Sequence, residues 1–168
     1  MSSMSKVVVD ALNQQINNEL AASYEYLAMS AWCEGQVLQG AAKWLRLQSQ
    51  EEYEHAMKLF DFVLARGGQV ELKALPVPSQ SYKSLHDVFD KVLKQEQQVT
   101  QQIDVLYDLA FREKAYAATV ELQWFLTEQV EEEKSSREIV AKLKLIGHDV
   151  PSVLDLDREL AARSSSGS

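Results

Sequence analysis

Glycine and proline, the residues that interrupt helices, occur in this chain at only a few clustered points. They stand at Gly35 and Gly40, Gly67 and Gly68, Pro76 and Pro78, Gly147 and Pro151, and finally Gly167. Each cluster is a break signal. With a further break near Arg112 to Lys114 that holds neither glycine nor proline, they leave segments of roughly residues 5–35, 40–66, 83–112, 114–146 and 152–163, rich in Ala, Leu, Gln, Glu and Lys and free of internal proline. Such segments predict four long helices and one short one. At 1.5 Å per residue each long helix would span about 40–50 Å, a length that suits a bundle.

The links between helices constrain topology. The first two helices are separated only by the turn around residues 35–40, and the third and fourth by a few residues near Arg112 to Lys114. Short links make antiparallel neighbours. The middle link, GGQVELKALPVPSQSY at residues 67–82, contains Pro-x-Pro, and in extended form it is long enough to run the length of a bundle. The expected fold is all-α: two helical hairpins joined by one long crossover, followed by a short fifth C-terminal helix. Residues 1–163 are expected to form one domain and 164–168, a Ser- and Gly-rich stretch, a disordered tail. The fifth helix has no room inside a four-helix core, which predicts that residues 152–163 pack at a subunit junction.

Composition narrows the partners. Hydrophobic residues make up 46% of the 168, enough for one core. Seventeen basic residues against twenty-five acidic ones leave a net charge of −8, which argues against a nucleic-acid or anionic membrane surface and favours cations. No stretch reaches the roughly 20 apolar residues of a membrane-spanning helix. The single cysteine, Cys33, has no internal disulfide partner, and the first residues lack the basic and apolar regions of a signal peptide; the expectation is a reducing, cytoplasmic compartment.

Carboxylates interrupt the apolar stripes. At helical spacing the third helix presents Phe89, Val92, Glu96, Val99, Ile103, Leu106 and Ala110 on one face. The second presents Leu45, Gln48, Glu52, His55, Leu59 and Phe62; the fourth Phe125, Glu128, Glu132, Ser135, Ile139, Leu143 and Ile146; the first Leu12, Ile16, Glu19, Ser23, Tyr26 and Cys33. Every long helix thus points a glutamate inward. An isolated buried carboxylate costs several kcal/mol or more, and Lys43, Arg46, Lys58 and Lys134 fall on other faces of their helices. Two divalent metal ions would neutralise Glu19, Glu52, Glu96 and Glu132, with one carboxylate bridging. Oxygen-rich ligation with a single imidazole, that of His55, suits iron or manganese, and iron with dioxygen is the leading chemistry.

From about residue 5 to 163 the chain resembles the non-haem bacterial ferritins, iron-storage ferroxidases. The resemblance is carried by NNELAASYEYLAMSAWC in the first helix, SQEEYEHAMKLFDF in the second, KQEQQVTQ in the third and LQWFLTEQVEEEK in the fourth. It implies a ferritin-like four-helix bundle assembled as a homo-oligomeric cage of twenty-four subunits, oxidising Fe2+ with O2 or peroxide and storing ferric oxide. A first iron site at Glu19, Glu52 and His55 is implied, with a second at Glu96 and Glu132, Glu52 bridging and Gln129 in the second-site region. A third iron beside the pair would use Glu51, Glu128 and Glu131. Tyr26 matches a tyrosine against the pair that can supply a hydrogen bond or an electron, and Trp124 a tryptophan one turn before the helix-four ligands.

Departures separate relatives. The second Glu-x-x-His of bacterioferritins is missing: Glu128 is followed by Glu131 and Glu132 by Ser135, and Tyr53 stands where their haem-ligating methionine would fall. No haem is expected. One cysteine excludes a rubredoxin module, and PSVLDLDRELAAR supplies the fifth helix that DNA-protecting miniferritins lack. Cys33, Met29, Met57, Trp32, Trp44, Phe60 and Phe62 are expected as core or subunit-contact residues, His86 and His148 at segment ends, and Glu54 and Glu133 in solvent. The alternatives are a di-iron oxidase or peroxide scavenger with little storage, and a structural bundle that binds cations adventitiously.

Overall fold

A computed structural model describes residues 4–165. Of the expected tail, residues 166–168 lie outside the described part, and Ser164 and Ser165 have no regular structure. The helices are α1 (Lys6–Gly35), α2 (Gln39–Ala65), α3 (Leu85–Arg112), α4 (Tyr116–Ile146) and α5 (Val150–Ala161). Local chemistry sets their ends. Ser5 accepts from the Val8 amide at the start of α1, and Ser84 does the same for Asp87 at the start of α3, each pairing one of the unbonded amides of a first turn. Lys114 adopts a φ of 56°, and α4 starts after it. Gly147, at φ 58°, ends that helix in a conformation that favours glycine. Asp149 then accepts from the Ser152 amide and Pro151 falls in the first turn, so α5 begins ahead of the expected residue 152.

α1 packs along α2 and α3 along α4; α1 also meets α3, and α5 lies mainly against α2. The crossover therefore runs from residue 66 to 84, held down by two buried asparagines of α1. Asn13 donates to the Gln69 carbonyl at 2.8 Å and accepts from the Glu71 amide at 2.9 Å. One turn on, Asn17 donates to the Glu71 carbonyl at 2.9 Å and accepts from the Lys73 amide at 2.8 Å. Two side chains thus satisfy four backbone groups of a segment with no ladder of its own.

α5 docks through Asp157, whose carboxylate takes the Gly40 and Ala41 amides at 3.1 and 2.7 Å. α2 has no capping side chain of its own, so its N-terminus is capped from the other end of the chain. The approach needs Gly40: a Cβ there would lie 1.8 Å from the Asp157 carbonyl oxygen. The expectation that residues 152–163 pack at a subunit junction is corrected on one side. The inner residues Leu156 and Leu160 are buried within their own subunit, in the same cluster as Ala41 and Trp44, while Val150 and Leu154 stay exposed.

The core divides in two. One cluster gathers Tyr26, Met29, Cys33, Trp44, Leu45, Phe89, Val92, Ile139 and Leu143. The other gathers Leu12, Ile16, Leu59, Val63, Val99, Ile103, Leu122 and Phe125. On each long helix the gap between the clusters holds an inward glutamate. The α3 stripe is buried throughout as predicted, whereas the α4 stripe holds at Phe125, Glu132, Ile139 and Leu143 but not at two positions between them: Ser135 is exposed and Glu128 half-buried, and Gln129 and Ser136 face inward instead. Residues 128 and 129 flank the same axial line at 3.6 residues per turn, so spacing alone does not choose between them.

Candidate metal centre

Four helices deliver one carboxylate each to the gap between the clusters. Glu19, Glu52 and Glu96 have no exposed surface, and His55 and Glu132 have 5% and 7%. Donor atoms of Glu19, Glu52 and His55 lie within 4.8 Å of one another, as do those of Glu52, Glu96 and Glu132. Glu52 belongs to both triads. His55 sits one turn after it with Nδ1 3.4 Å from Glu52 Oε2, and its ring is packed edge-on by Trp124 at 5.2 Å and Phe125 at 6.0 Å between centroids. Lys58 lies over the outer face of Trp124, 4.7 Å from the ring centre.

One oxygen of most of these carboxylates is held by a neutral donor. Gln15 donates to Glu19 Oε1 at 3.1 Å. The single amide of Gln48 reaches Glu52 Oε1 and Glu132 Oε2, both at 2.9 Å. Glu96 receives the phenol of Tyr26 on Oε1 and the amide of Gln129 on Oε2 at 3.2 Å, the same amide also reaching the Glu96 carbonyl at 3.1 Å. Three buried polar atoms among the described residues have no partner: Glu19 Oε2, Glu52 Oε2 and His55 Nδ1. All three belong to the first triad. Buried polar atoms are paired as a rule, and residues with unpaired donor atoms grouped within 4.8 Å of one another are what a hard or intermediate cation requires.

Without a cation the carboxylates cannot all ionise. Burial, then the neighbouring Glu52, raises the pKa of Glu19; burial, then Glu96, raises that of Glu52. Burial also raises Glu96, and it pushes Glu132 up to about 9, helped by the charges of Glu96 and Glu51. The Tyr26 phenol, raised by burial and then by Glu96, stays a proton donor.

Beside the two triads lies a cavity of about 480 Å³ reaching Gln48, Glu51, Glu128, Glu131 and Glu132. Glu128 does more than line it, since its donor atom lies within 4.8 Å of those of His55 and Glu132. Glu51 is half-buried and Glu131 exposed. The stripes of the long helices had suggested no basic residue near this centre. One stands at its rim: Arg163, just past α5, is 2.9 Å from Glu51 Oε2. Of the acidic residues expected in solvent, Glu54 is exposed, but Glu133 is half-buried and accepts from Thr100 at 3.1 Å. His86 and His148 lie together at one end of the bundle, ring centres 4.5 Å apart and planes inclined at 46°.

Known proteins place these observations. The Ferritin-like domain family matches residues 9–146. The bacterial non-heme ferritin of Staphylococcus haemolyticus is 38% identical over 161 residues, covering 96% of this chain and 97% of that protein. That of Campylobacter jejuni is 43% identical over 144 residues, 86% of each chain. Among solved structures, an open pore ferritin from the hyperthermophilic archaeon Archaeoglobus fulgidus superposes with a TM-score of 0.96 at 45% identity, covering 98% of this chain and all of that one.

Proposed function

This chain belongs to the ferritin family of iron-storage proteins, and from that premise we propose that it oxidises Fe2+ with O2 at the two triads sharing Glu52 and stores the ferric product as oxide inside a cage of its own copies. The observation that carries the reading is the gathering of buried donor atoms of Glu19, Glu52 and His55 within 4.8 Å of one another, with one atom of each residue lacking a hydrogen-bond partner. The balance is two Fe2+, one O2 and two protons giving two Fe3+ and one H2O2: each ferrous substrate ion loses one electron and the oxygen molecule takes both.

The residues have separate tasks. Glu19, Glu52 and His55 take one ferrous ion, Glu96 and Glu132 the second, with Glu52 common to both. Protons held by the raised carboxyls leave as substrate binds, so uptake is coupled to proton release. Gln48 holds Glu52 and Glu132 at a fixed separation, and the buried Tyr26 phenol fixes Glu96. Glutamates that shift between one and two bound oxygens let the trivalent product go. The cavity bearing Glu51, Glu128 and Glu131 is the position of a third iron and the way out of the pair. Haem has no part in this chemistry, with Tyr53 at the place of the bacterioferritin methionine. The assembly is a cage of twenty-four, and the compartment is the cytoplasm, which suits the lone, buried Cys33, its thiol pushed up to about 12 by burial. No helix among the described residues is long and apolar enough to cross a membrane.

Anaerobic loading with Fe2+ followed by oxygen tests this. The expected outcome is a fast phase consuming one O2 per two Fe2+, followed by growth of large ferric cores. Fast oxidation that stops after two or three ions per chain would instead mark a di-iron oxidase or peroxide scavenger, and no iron-dependent oxygen uptake would mark a structural bundle.

A further inference from the structure

The cavity beside the metal pair gathers four carboxylates and a single cation. Arg163 reaches it from the segment after α5, its side chain 18% exposed, and is held on every side. Nη1 donates to the Trp44 carbonyl at 3.1 Å, and the guanidinium lies 4.3 Å above the Trp44 ring. Nη2 donates to Glu51 Oε2 and to Gln48 Oε1, both at 2.9 Å. Gln48 is the residue whose amide holds Glu52 and Glu132. A continuous chain of hydrogen bonds therefore runs from the guanidinium, through one carboxamide, to the bridging carboxylate of the pair.

From this juxtaposition we infer that Arg163 is a positioning residue that acts as a displaceable latch: its guanidinium keeps the place beside Glu51 that a third cation takes, and its release loosens Gln48 from the pair. The inference rests on the ferroxidase reading. A guanidinium does not lose its proton in proteins, so a metal ion approaching Glu51 meets a fixed positive charge and must exchange with it. Exchange is feasible because Arg163 lies beyond the last turn of α5; only its side chain has to swing, and Asp157 keeps the helix docked. With Arg163 in place Glu51 is neutralised and Gln48 is polarised toward Glu52 and Glu132. With it displaced, Glu51 is free for the cation and the Gln48 oxygen loses its donor. Filling of the third position is thereby coupled to the geometry of the first two.

Calorimetric titration of the metal-free assembled protein with Zn2+, a divalent ion without redox chemistry, separates the possibilities. Arg163→Met keeps most of the apolar stem over Trp44 and removes the charge. Arg163→Met should still take two tight ions, but more weakly than wild type because Gln48 has lost its donor, and should bind the third about tenfold more tightly, a gain within the usual range for coupled sites. In the background Glu51→Gln that gain should vanish. A third ion bound equally or more weakly by Arg163→Met, with the two tight ions intact, would overturn the latch and leave Arg163 as a clamp on α5. Absence of two tight ions from the wild type would be a different failure, sinking the metal-pair reading and the latch with it.

Discussion

Glu52 concentrates the energetics of the centre, being buried, shared by two triads and flanked by other carboxylates. The sign of its effect on the metal-free protein follows from the raised pKa values. Below about 4.5, the ordinary glutamate value, folded and unfolded chains are both protonated and the cluster costs nothing. As pH climbs from there the unfolded chain gives up protons that the folded chain keeps, so stability falls at least as far as the raised value of Glu132, about 9. The metal-free protein should therefore lose stability between these limits, and bound metal should remove the loss. Metal-free Glu52→Ala should melt at the wild-type temperature or above it at neutral pH, neutral to about 2 kcal/mol more stable. A variant several kcal/mol less stable would show that protein partners hold Glu52, and the charge argument for a metal would fail. His55 gives a complementary test. Its replacement by alanine removes one unpaired donor, and the fast phase of iron oxidation should slow by about ten- to a hundredfold with helix content unchanged in circular dichroism. An unaltered fast phase in a correctly assembled variant would reduce His55 to a core histidine.

At the scale of elements, the long-range attachments are polar and few. α5 and the start of α2 depend on each other through Asp157 and Gly40. Asp157→Ala should cost about 1 kcal/mol, as loss of a helix cap does. Gly40→Ala should cost about 1–3 kcal/mol, because its Cβ must push the α5 backbone away. Thermal melts of the two variants separate a lost hydrogen bond from a steric clash: Asp157→Asn should recover part of the first loss, whereas no substitution at residue 157 relieves the second, since the clash is with backbone. The crossover depends likewise on Asn13 and Asn17. Asn17→Ala leaves the Glu71 carbonyl and the Lys73 amide without their partner and should destabilise by about 1–3 kcal/mol. Faster proteolysis within residues 69–73 would report it, and an unchanged cleavage rate would mean that the asparagines are not what holds the segment.

The whole subunit presents more apolar surface than an isolated bundle has use for. Tyr24 and Leu27 of α1, Tyr53 and Leu64 of α2, Val105 of α3 and Val120 of α4 are all exposed, as are Leu72 and Val77 of the crossover and Val150 and Leu154 on the outer side of α5. In the cage proposed above these side chains would face other copies of the chain. Sedimentation under native salt should therefore find a large closed assembly. A monomer or dimer at micromolar concentration would remove the cage, and with it the enclosed space in which oxide accumulates.

How much of this was legible beforehand depends on the range of the interaction. Glycine and proline positions bounded most helix ends to within a few residues, because breaking a helix is a local event; the turn between α3 and α4 holds neither residue. The stripe of α3 came out residue for residue, and so did the glutamate carried by each helix, because burial repeats with the helical period. On α4 that period left Glu128 and Gln129 equivalent; the choice fell to Gln129, whose amide spans to Glu96, a partner thirty-three residues away. The hold of Asn13 and Asn17 on the crossover, the Asp157 cap and the reach of Arg163 to Glu51 left no trace in local spacing. Each joins residues more than fifty positions apart, and a hydrogen bond of that kind exists only after the helices have docked. The ingredients of the metal centre were written in the order of residues along each helix; its shared carboxylate, its unpaired atoms and its guarded side cavity arose from the packing of one helix against another.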